Sequence, residues 1–434
     1  MAREYKDSGI EWIGQIPKEW EVCQIRRVMK NRSERNLPNA EVLSLYRDWG
    51  IVPKNSRDDN HNVTSEDTTN YKVVHKGDFV INKMKAWQGS MAVSDYDGII
   101  SPAYYVCEFV RTSVYKRYIH HLLRNESYKT EYMRLSSGLR VGQWDLNIEN
   151  FLRIPMILPS FSEQQKIADY LDKVCGEIDE MVALQETMIE ELKAYKQSVI
   201  TEAVTKGLNP NVSMRNSGID WIGDIPEHWE AKKLKYIIDY IESGTSVNAG
   251  NVPAQTNEFG VLKTSAVSKY VFDATENKTV VSEEMDKVSC PVRKNTIIVS
   301  RMNTPELVGA CGYVEKNYDN IFLPDRLWQV HFVDTVYVKY IWYALRGSNI
   351  RNYYSSLSVG SSSSMQNISQ SQFSNGSIPI PCDVDEQRAI VSYLDTKCSE
   401  IDSLIALKQA KIEELKEYKK SVIYEYVTGK KEVI

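Results

Sequence analysis

The side chains that most often carry out catalysis or bind metals show no functional spacing in this sequence. The chain has six histidines and seven cysteines, but no H-E-x-x-H motif, no C-x-x-C pair and no Cys/His cluster at zinc spacing. The glycine-rich loops G-x-x-x-x-G-K-[ST] and G-x-G-x-x-G, which bind nucleotide phosphates, are absent. The Asn-Pro-Pro-aromatic motif of amino-methyltransferases is absent too, and the nearest dipeptide is Asn209-Pro210. We therefore expect a non-enzymatic protein that binds its partners, with no metal and no cofactor of its own.

The charge of the chain is unevenly distributed. The 434 residues, 42% hydrophobic and 26% charged, are typical of a globular protein with two or three domains. The net charge is +3 in residues 1–159, −5 in 160–208, −1 in 209–381 and −2 in 382–434. Near-neutral globular parts permit contact with nucleic acid without predicting it, because strong basicity is the usual signature. The sequence shows no signal peptide and no apolar run of the ~18 residues that a membrane span needs, so we expect a cytoplasmic protein with reduced thiols.

Residues 162–206 have the pattern of a long helix that packs along another helix. A capping box is predicted at the start of this helix, from Ser162 and Gln165. At this length the helix would extend roughly 67 Å, more than the width of a small domain. The apolar residues that repeat in steps of three and four, the signature of helix pairing, are Ile167, Leu171, Val174, Ile178, Met181, Met188, Leu192, Tyr195 and Val199.

A second copy of this stretch lies at residues 385–430. With a constant offset of 223, Glu163-Gln164 reappears as Glu386-Gln387, and polar positions match as well as apolar ones. This indicates an internal duplication. The second copy is more polar along its apolar seam, where it carries Lys397, Lys408 and Lys411. We therefore expect the two unlike copies to pair with each other.

A shorter repeat lies ahead of each helix, at residues 7–21 and 216–230, and both copies share the pattern S-G-I-x-W-I-G-x-I-P-x-x-W-E. Its tryptophans are expected to anchor each domain by packing; contact with a partner subunit is the alternative. The segments that follow hardly align, but both show short strand patterns and a helical piece. We predict an α+β fold with a domain at 1–159, a helix at 160–208, a second domain at 209–381 and a second helix at 382–434. Antiparallel packing of the two helices would give a pseudo-two-fold object with the divergent domains at opposite ends of a spacer.

In this order of parts, the sequence resembles the specificity subunit of type I restriction–modification systems. The resemblance rests on the twin E-Q-x-x-I-x-x-x-L-D helices, on Gly77-Asp78 before a strand, on Ser300-Arg301 with the nearby Asn303-Thr304 and Val308-Gly309, and on the I-P-x-P closing at 378–381. It implies two target-recognition domains that each read half of a bipartite double-stranded DNA target, joined by two long antiparallel helices. It also implies docking of two methyltransferase subunits, which bring S-adenosylmethionine and methylate adenine, and of motor-nuclease subunits in the full complex. The chain itself would then be a non-catalytic subunit.

Side chains that can hydrogen-bond to the edges of purine bases are candidates for reading bases, with Arg or Lys suited to guanine and Asn or Gln to adenine. Loops 82–89 and 136–144 of the first domain and stretches 301–304 and 360–366 of the second offer such groups. We expect Arg140 and Arg301 to contact DNA, as basic residues in matching loops. The alternatives are that Trp87 and Trp144 belong to the core, that the serine-rich loop is a linker, and that the cations contact only phosphates. The predicted DNA-binding residues are Lys83, Lys85, Trp87, Gln88, Arg140, Gln143, Trp144, Arg301, Asn303, Thr304, Ser362, Ser363 and Gln366.

The two long helices are expected to space the domains and to dock other subunits. A competing hypothesis is a non-enzymatic coiled-coil adaptor whose two domains bind protein ligands. Co-purification with a methyltransferase and salt-dependent DNA binding would distinguish the two. The residues predicted for spacing and docking are Gln164, Ile167, Leu171, Ile178, Gln387, Ile390, Leu394 and Ile401.

Overall fold

The computed structural model describes residues 3–37, 40–47, 49–56, 64, 67–138, 144–362 and 365–433. Contacts divide the chain into two compact units. The first unit comprises residues 1–186 and 409–434, and the second comprises residues 187–408. Each unit therefore combines one globular domain with part of both long helices, whereas the repeats divide the chain into four consecutive parts.

The globular domain of the first unit is built around a four-stranded antiparallel sheet. The strands of the whole domain are β1 (Tyr5–Asp7), β2 (Gln15–Pro17), β3 (Glu21–Gln24), β4 (Met29–Arg32), β5 (Leu43–Tyr46), β6 (Gly50–Pro53), β7 (Lys72–Val74), β8 (Phe79–Asn82), β9 (Met91–Val93), β10 (Gly98–Ile100), β11 (Tyr104–Phe109), β12 (Ser136–Ser137), β13 (Asp145–Leu146) and β14 (Pro155–Leu158). Its helices are α1 (Lys116–Arg124), α2 (Glu126–Leu135) and α3 (Ile148–Arg153), and the long helix α4 (Phe161–Lys206) follows.

The strand order of this sheet is β4-β11-β8-β9. Successive side chains of a strand point to opposite faces, and β8 uses both. Phe79 and Ile81 join the main core with Tyr118, while Val80 joins a smaller core with Val106. The sheet is therefore covered on both sides.

The second unit repeats this plan. Its strands are β15 (Met214–Asn216), β16 (Asp224–Pro226), β17 (Trp229–Lys233), β18 (Ile238–Ser243), β19 (Gly260–Leu262), β20 (Asn277–Thr279), β21 (Pro291–Val292), β22 (Thr296–Ser300), β23 (Met302–Asn303), β24 (Cys311–Val314), β25 (Tyr318–Phe322), β26 (Leu327–Phe332), β27 (Val359–Ser362), β28 (Met365–Asn367) and β29 (Ser377–Pro381). Its helices are α5 (Val338–Leu345), α6 (Ser348–Leu357), α7 (Gln370–Asn375) and the long helix α8 (Val384–Val427).

The central sheets of the two domains share one strand order although the sequences hardly align. The sheet β18-β26-β22-β24 has the same order as β4-β11-β8-β9, and β22 corresponds to β8. Ile297 and Val299 of β22 face the main core, and Ile298 faces a smaller second core. A two-sided sheet requires apolar side chains at these positions but no particular ones, which explains how the sequences could diverge.

Helix α4 begins two residues earlier than the capping-box prediction requires. The hydroxyl of Ser160 accepts a hydrogen bond from the backbone N–H of Glu163 at 3.3 Å. Ser160 is therefore the residue that caps the helix, and the prediction of Ser162 as the cap was wrong.

The helices pair antiparallel within the first unit. Lys419 of α8 binds Asp179 of α4 at 2.6 Å, and the rings of Tyr170 and Tyr426 are 4.5 Å apart. Residue numbers rise along one helix as they fall along the other, which confirms the predicted pairing of unlike copies.

The second unit contains the repeat-related pair. Lys196 of α4 binds Asp402 of α8 at 2.6 Å, and these residues correspond to Lys419 and Asp179 at the offset of 223. Lys408, one of the seam lysines, lies with its ammonium 3.2 Å from the sulfur of Met188. The same antiparallel contact thus occurs once in each unit.

The repeated Glu-Gln pair fastens each domain to the start of its long helix. The indole N–H of buried Trp20 donates to Glu163 at 3.1 Å, as Trp229 does to Glu386 at 3.0 Å. Both indoles are fully buried, which confirms that these tryptophans anchor by packing. The short head repeat and the helix repeat are therefore two halves of one junction.

Candidate nucleic-acid interface

The helix residues predicted for spacing or docking are all buried. None is more than 4% exposed. Gln164 receives a hydrogen bond from the backbone N–H of Tyr115 at 2.8 Å, and Gln387 receives the corresponding bond from Tyr337 at 2.8 Å. The two glutamines bond each helix to its domain, and four of the isoleucines and leucines pack into the domain cores. A docking surface for another subunit therefore has to consist of other, exposed residues.

The first candidate loop is a short 3-10 turn that directly follows strand β8. The side chain of Asn82 accepts a hydrogen bond from the backbone N–H of Met84 at 3.1 Å. The indole N–H of Trp87 donates to the carbonyl of Met84 at 3.1 Å. Gly89 ends the turn with φ of +78°, a conformation that favours glycine. These contacts fix the backbone and leave the side chain of Lys85 exposed and that of Gln88 partly exposed.

The second candidate loop of this domain lies beside the first. Strands β12 and β13 form a hairpin, with Ser136 paired to Leu146. Trp144, which directly precedes β13, meets Trp87 at a ring distance of 5.2 Å. Both tryptophans are partly exposed. Their ring contact joins the two loops to each other. Arg140 and Gln143 lie outside the described residues.

The two candidate stretches of the second domain are also joined. Strand β23 pairs with β28, which places Asn303 opposite Gln366, and β28 pairs with β27. The serine-rich loop is therefore part of a hairpin, as its position just before the closing strand suggested, and not a linker. Ser362 is the last residue of β27, and Ser363 lies outside the described residues.

Asn303 and Thr304 take part in the local turn after β22. The side-chain amide of Asn303 donates to the hydroxyl of Ser300 at 3.4 Å, and its oxygen accepts from the backbone N–H of Thr304 at 2.9 Å. Asn303 therefore orders its own turn, much as Asn82 does in the first domain.

Arg301 and Lys83 occupy corresponding positions. Each directly follows the matching strand, β22 or β8. The Lys83 ammonium lies 4.6 Å from the ring centre of Tyr105, and the Arg301 guanidinium lies 6.0 Å from that of Trp328. Tyr105 pairs across the sheet with Ile81, as Trp328 does with Val299. Both domains thus place a cation over an aromatic ring of the neighbouring strand, a favourable arrangement.

This correspondence corrects the predicted match between Arg140 and Arg301. Arg140 falls between β12 and β13, whose counterpart is the hairpin β27–β28. Arg301 belongs to the turn after the central strand, where its counterpart is Lys83. The error has a physical cause: Arg140 and Arg301 carry the same charge, but the order of the strands decides which loops correspond.

The sequence did not reveal the two rings that lie under these cations, Tyr105 and Trp328. It also did not reveal Lys72, a second cation over Tyr105, or Arg35, whose backbone pairs with Lys72. The aromatic residues lie in strand patterns, where they are ordinary core formers. Arg35 and Lys72 are 37 positions apart in the sequence, and only an isolated antiparallel bridge brings them together. No local sequence signal marks that contact.

The described residues contain neither a metal-binding cluster nor a membrane-spanning helix. No group of three or more His, Cys, Asp or Glu side chains in this part of the chain could hold a metal ion. Within the same residues, no helix is sufficiently long and apolar to cross a membrane.

Comparison with known proteins identifies the family. The model of the type I restriction modification DNA specificity domain matches residues 17–194 and 226–417. The chain belongs to this family. The two matched segments follow the duplication, since each contains one of the equivalent sheets and the start of one long helix.

Relatives with specificity domains match over nearly the whole chain. The type I restriction enzyme MjaVIII specificity subunit of Methanocaldococcus jannaschii is 25% identical over 436 residues, covering 96% of this chain and 93% of its own length. A chain solved in a study of complex assembly and conformational transition of the type I R-M system superposes with a TM-score of 0.68 at 16% identity, covering 95% of this chain and 98% of that one. The HsdS subunit from Thermoanaerobacter tengcongensis gives a TM-score of 0.51 at the same identity and coverage. The last two show that the fold is shared.

Proposed function

We propose that this chain is the DNA sequence-specificity subunit of a type I restriction–modification complex. Residues 1–159 read one half of a bipartite duplex target, residues 209–381 read the other half, and α4 and α8 set the gap. One observation carries the proposal: both domains bring the turn after the central strand together with the hairpin before the closing strand, and both place a cation over an aromatic ring there. Two unlike sequences built on one such frame are suited to reading two different half-sites.

Base reading in the first domain is assigned to the turn after β8 and to the hairpin that follows α2. Lys85 and Gln88 carry groups that hydrogen-bond guanine and adenine edges, and the pair Trp87–Trp144 holds the two segments together. In the second domain, Arg301 and Gln366 offer the same chemistry. Their neighbours Asn303 and Thr304 shape the turn.

The chain contributes recognition, and two methyltransferase subunits contribute S-adenosylmethionine and methyl transfer to adenine. Motor-nuclease subunits join the assembly for restriction. This chain binds no cofactor in the proposed complex, in keeping with the absence of nucleotide-binding motifs from its sequence.

The methyltransferase subunits dock on exposed apolar side chains of the long helices. Exposed apolar residues usually occur singly, but here the same three positions are exposed in both units. Such duplication fits two copies of one partner, each on its own unit. The positions are Met181, Leu184 and Tyr418 in the first unit and, at the offset of 223, Leu404, Leu407 and Tyr195 in the second, all between 44% and 67% exposed.

The test is to purify the chain together with a methyltransferase subunit and to sequence methylated adenines in the host genome at single-molecule resolution. We expect one copy of the chain with two methyltransferases, and a methylated motif in two parts. Lys85→Ala should alter the bases of one half only, and Arg301→Ala those of the other half only.

A protein-binding adaptor would behave differently. It would not assemble with a methyltransferase, and it would show no steeply salt-dependent binding to duplex DNA. A change of both half-sites by one substitution would contradict the division of labour between the two domains. Leu184→Asp with Leu407→Asp should prevent methyltransferase assembly, whereas the control Glu186→Lys should not.

A further inference from the structure

Three cations converge at the edge of the sheet beside the first candidate loop. The ammonium groups of Lys72 and Lys83 lie 5.3 Å and 4.6 Å from the ring centre of Tyr105. Arg35 forms an isolated backbone bridge with Lys72, and its guanidinium reaches the side chain of Asn70 at 3.5 Å. Two of these positive charges therefore lie over one ring, and the third, on Arg35, is near enough to act on Lys72 electrostatically.

These charges have no bound carboxylate among the described residues of the chain. Lys72 is only 4% exposed, and its ammonium makes one hydrogen bond, to the carbonyl of Tyr104 at 2.7 Å. An ammonium has three donors, so two remain available. Asp145 approaches Tyr105 closely enough to act on it electrostatically, but it forms no ion pair with either lysine.

The surroundings of Lys72 favour an incoming anion. Burial lowers the pKa of Lys72, and the nearby charges of Lys83 and Arg35 lower it further. Like charges placed around a buried amine destabilise one another unless a negative group joins them. An anion that binds all three would remove this repulsion.

We propose that Arg35, Lys72 and Lys83 form a site for one backbone phosphate of duplex DNA, which sets the register of the turn at 82–89 against the bases. This inference rests on the proposed function and deepens it, since it assigns Lys83 to the backbone and leaves base reading to the exposed side chains of the turn. Lysines act on phosphate as point charges, and such contacts position a protein without carrying sequence information. In the second domain, the corresponding place holds Arg301 over Trp328.

The experiment measures duplex binding by the purified complex with its methyltransferase subunits between about 50 and 200 mM salt. The probes are a duplex containing the methylated motif and an unrelated duplex of equal length. Each phosphate contact contributes about 0.9 to the slope of log affinity against log salt. Because the three cations share one phosphate, Lys72→Met and Lys83→Met should each lower the slope by no more than about 0.9 on both duplexes, so that the ratio of affinities at the two salt concentrations becomes up to about 3.5-fold smaller.

Lys76→Met is the matched control. Lys76 is exposed and precedes β8, whereas Lys83 follows the same strand, so the substitution removes an equal charge from the opposite end. The slope of log affinity against log salt for Lys76→Met should equal that of the unsubstituted complex. If Lys72→Met does not assemble because its site is buried, Lys83→Met, whose side chain is partly exposed, decides the question.

Unchanged slopes for the assembled variants would overturn the phosphate site while leaving the proposed function in place. A loss of preference for the methylated motif with an unchanged slope would also overturn it, because Lys83 would then read a base. Absence of duplex binding by the unsubstituted complex would instead contradict the proposed function itself.

Discussion

Replacing Gln164 by methionine tests how the long helix is fastened to the first domain. Gln164 is 1% exposed. Its carbonyl oxygen accepts from the N–H of Tyr115 at 2.8 Å, and its amide donates to the carbonyls of Pro159 at 2.9 Å and Ser113 at 3.4 Å. Methionine has a similar length but makes none of these bonds, so the substitution removes the hydrogen bonds and largely keeps the volume.

The expected loss of stability follows from the groups left without partners. An unsatisfied buried polar group costs about 1–3 kcal/mol. The Pro159 carbonyl is buried, while the Tyr115 N–H is only partly buried and costs less, which gives a total of roughly 2–4 kcal/mol. For a unit of this size, such a change lowers the melting temperature by roughly 5–15 °C.

The assay is calorimetric unfolding of the chain, compared with Gln165→Met. Gln165 is the next residue, of the same type and on the same helix turn, but it is exposed. Its substitution should change the stability by less than about 0.5 kcal/mol. Gln387→Met should reproduce the loss in the second unit, because Gln387 makes the equivalent bonds to Tyr337 and Pro381 at 2.8 and 3.0 Å.

Equal effects of Gln164→Met and Gln165→Met would refute this reasoning. A loss for Gln164→Met with none for Gln387→Met would show that the two junctions are not energetically equivalent. The repeated glutamine would then reflect common origin alone.

Three further predictions concern the same scaffold. Asp172 is about a third exposed; burial raises its pKa, but hydrogen bonds from His121 and Arg117 outweigh burial and lower it from 3.8 to about 2. The Asp172 carboxylate therefore adds roughly 1 kcal/mol to the free energy of unfolding after allowance for solvent screening. This contribution is present above pH 3.8 and is lost as the pH falls towards 2. In urea unfolding, the difference in stability between the unsubstituted chain and Asp172→Asn should shrink over that range. Gly429→Ala should destabilise the chain by more than about 1 kcal/mol in the same assay, since φ is +71° and the new Cβ would lie 2.5 Å from Pro17; the control Gly176→Ala, with nothing within 4 Å, should stabilise it slightly. Trp87→Ala should weaken duplex binding by the assembled complex while changing the melting temperature by only a few degrees, because it removes a partly exposed contact between two loops; a large loss of stability would place Trp87 in the core instead.

The junction between each long helix and its domain could not be predicted from hydrophobic periodicity. The 3.5-residue pattern located the long helices correctly, and the repeat showed that unlike copies pair. It could not tell that Gln164 bonds to a neighbouring domain, because that bond joins residues 49 positions apart. Residues that the pattern suggested for docking are consequently buried in the junction.

The sequence by itself determined the duplication, the two long helices and the family, because these depend on local periodicity and on motifs that can be compared directly along the chain. The tertiary structure alone decided which residues share a site. Lys83 and Arg301 correspond through the order of strands in a sheet, although the sequences around them have diverged. Lys72 meets Lys83 only because separate segments converge on Tyr105, and Arg35 joins them through its backbone bridge to Lys72. Such contacts arise from backbone pairing over long sequence distances, which residue types do not record.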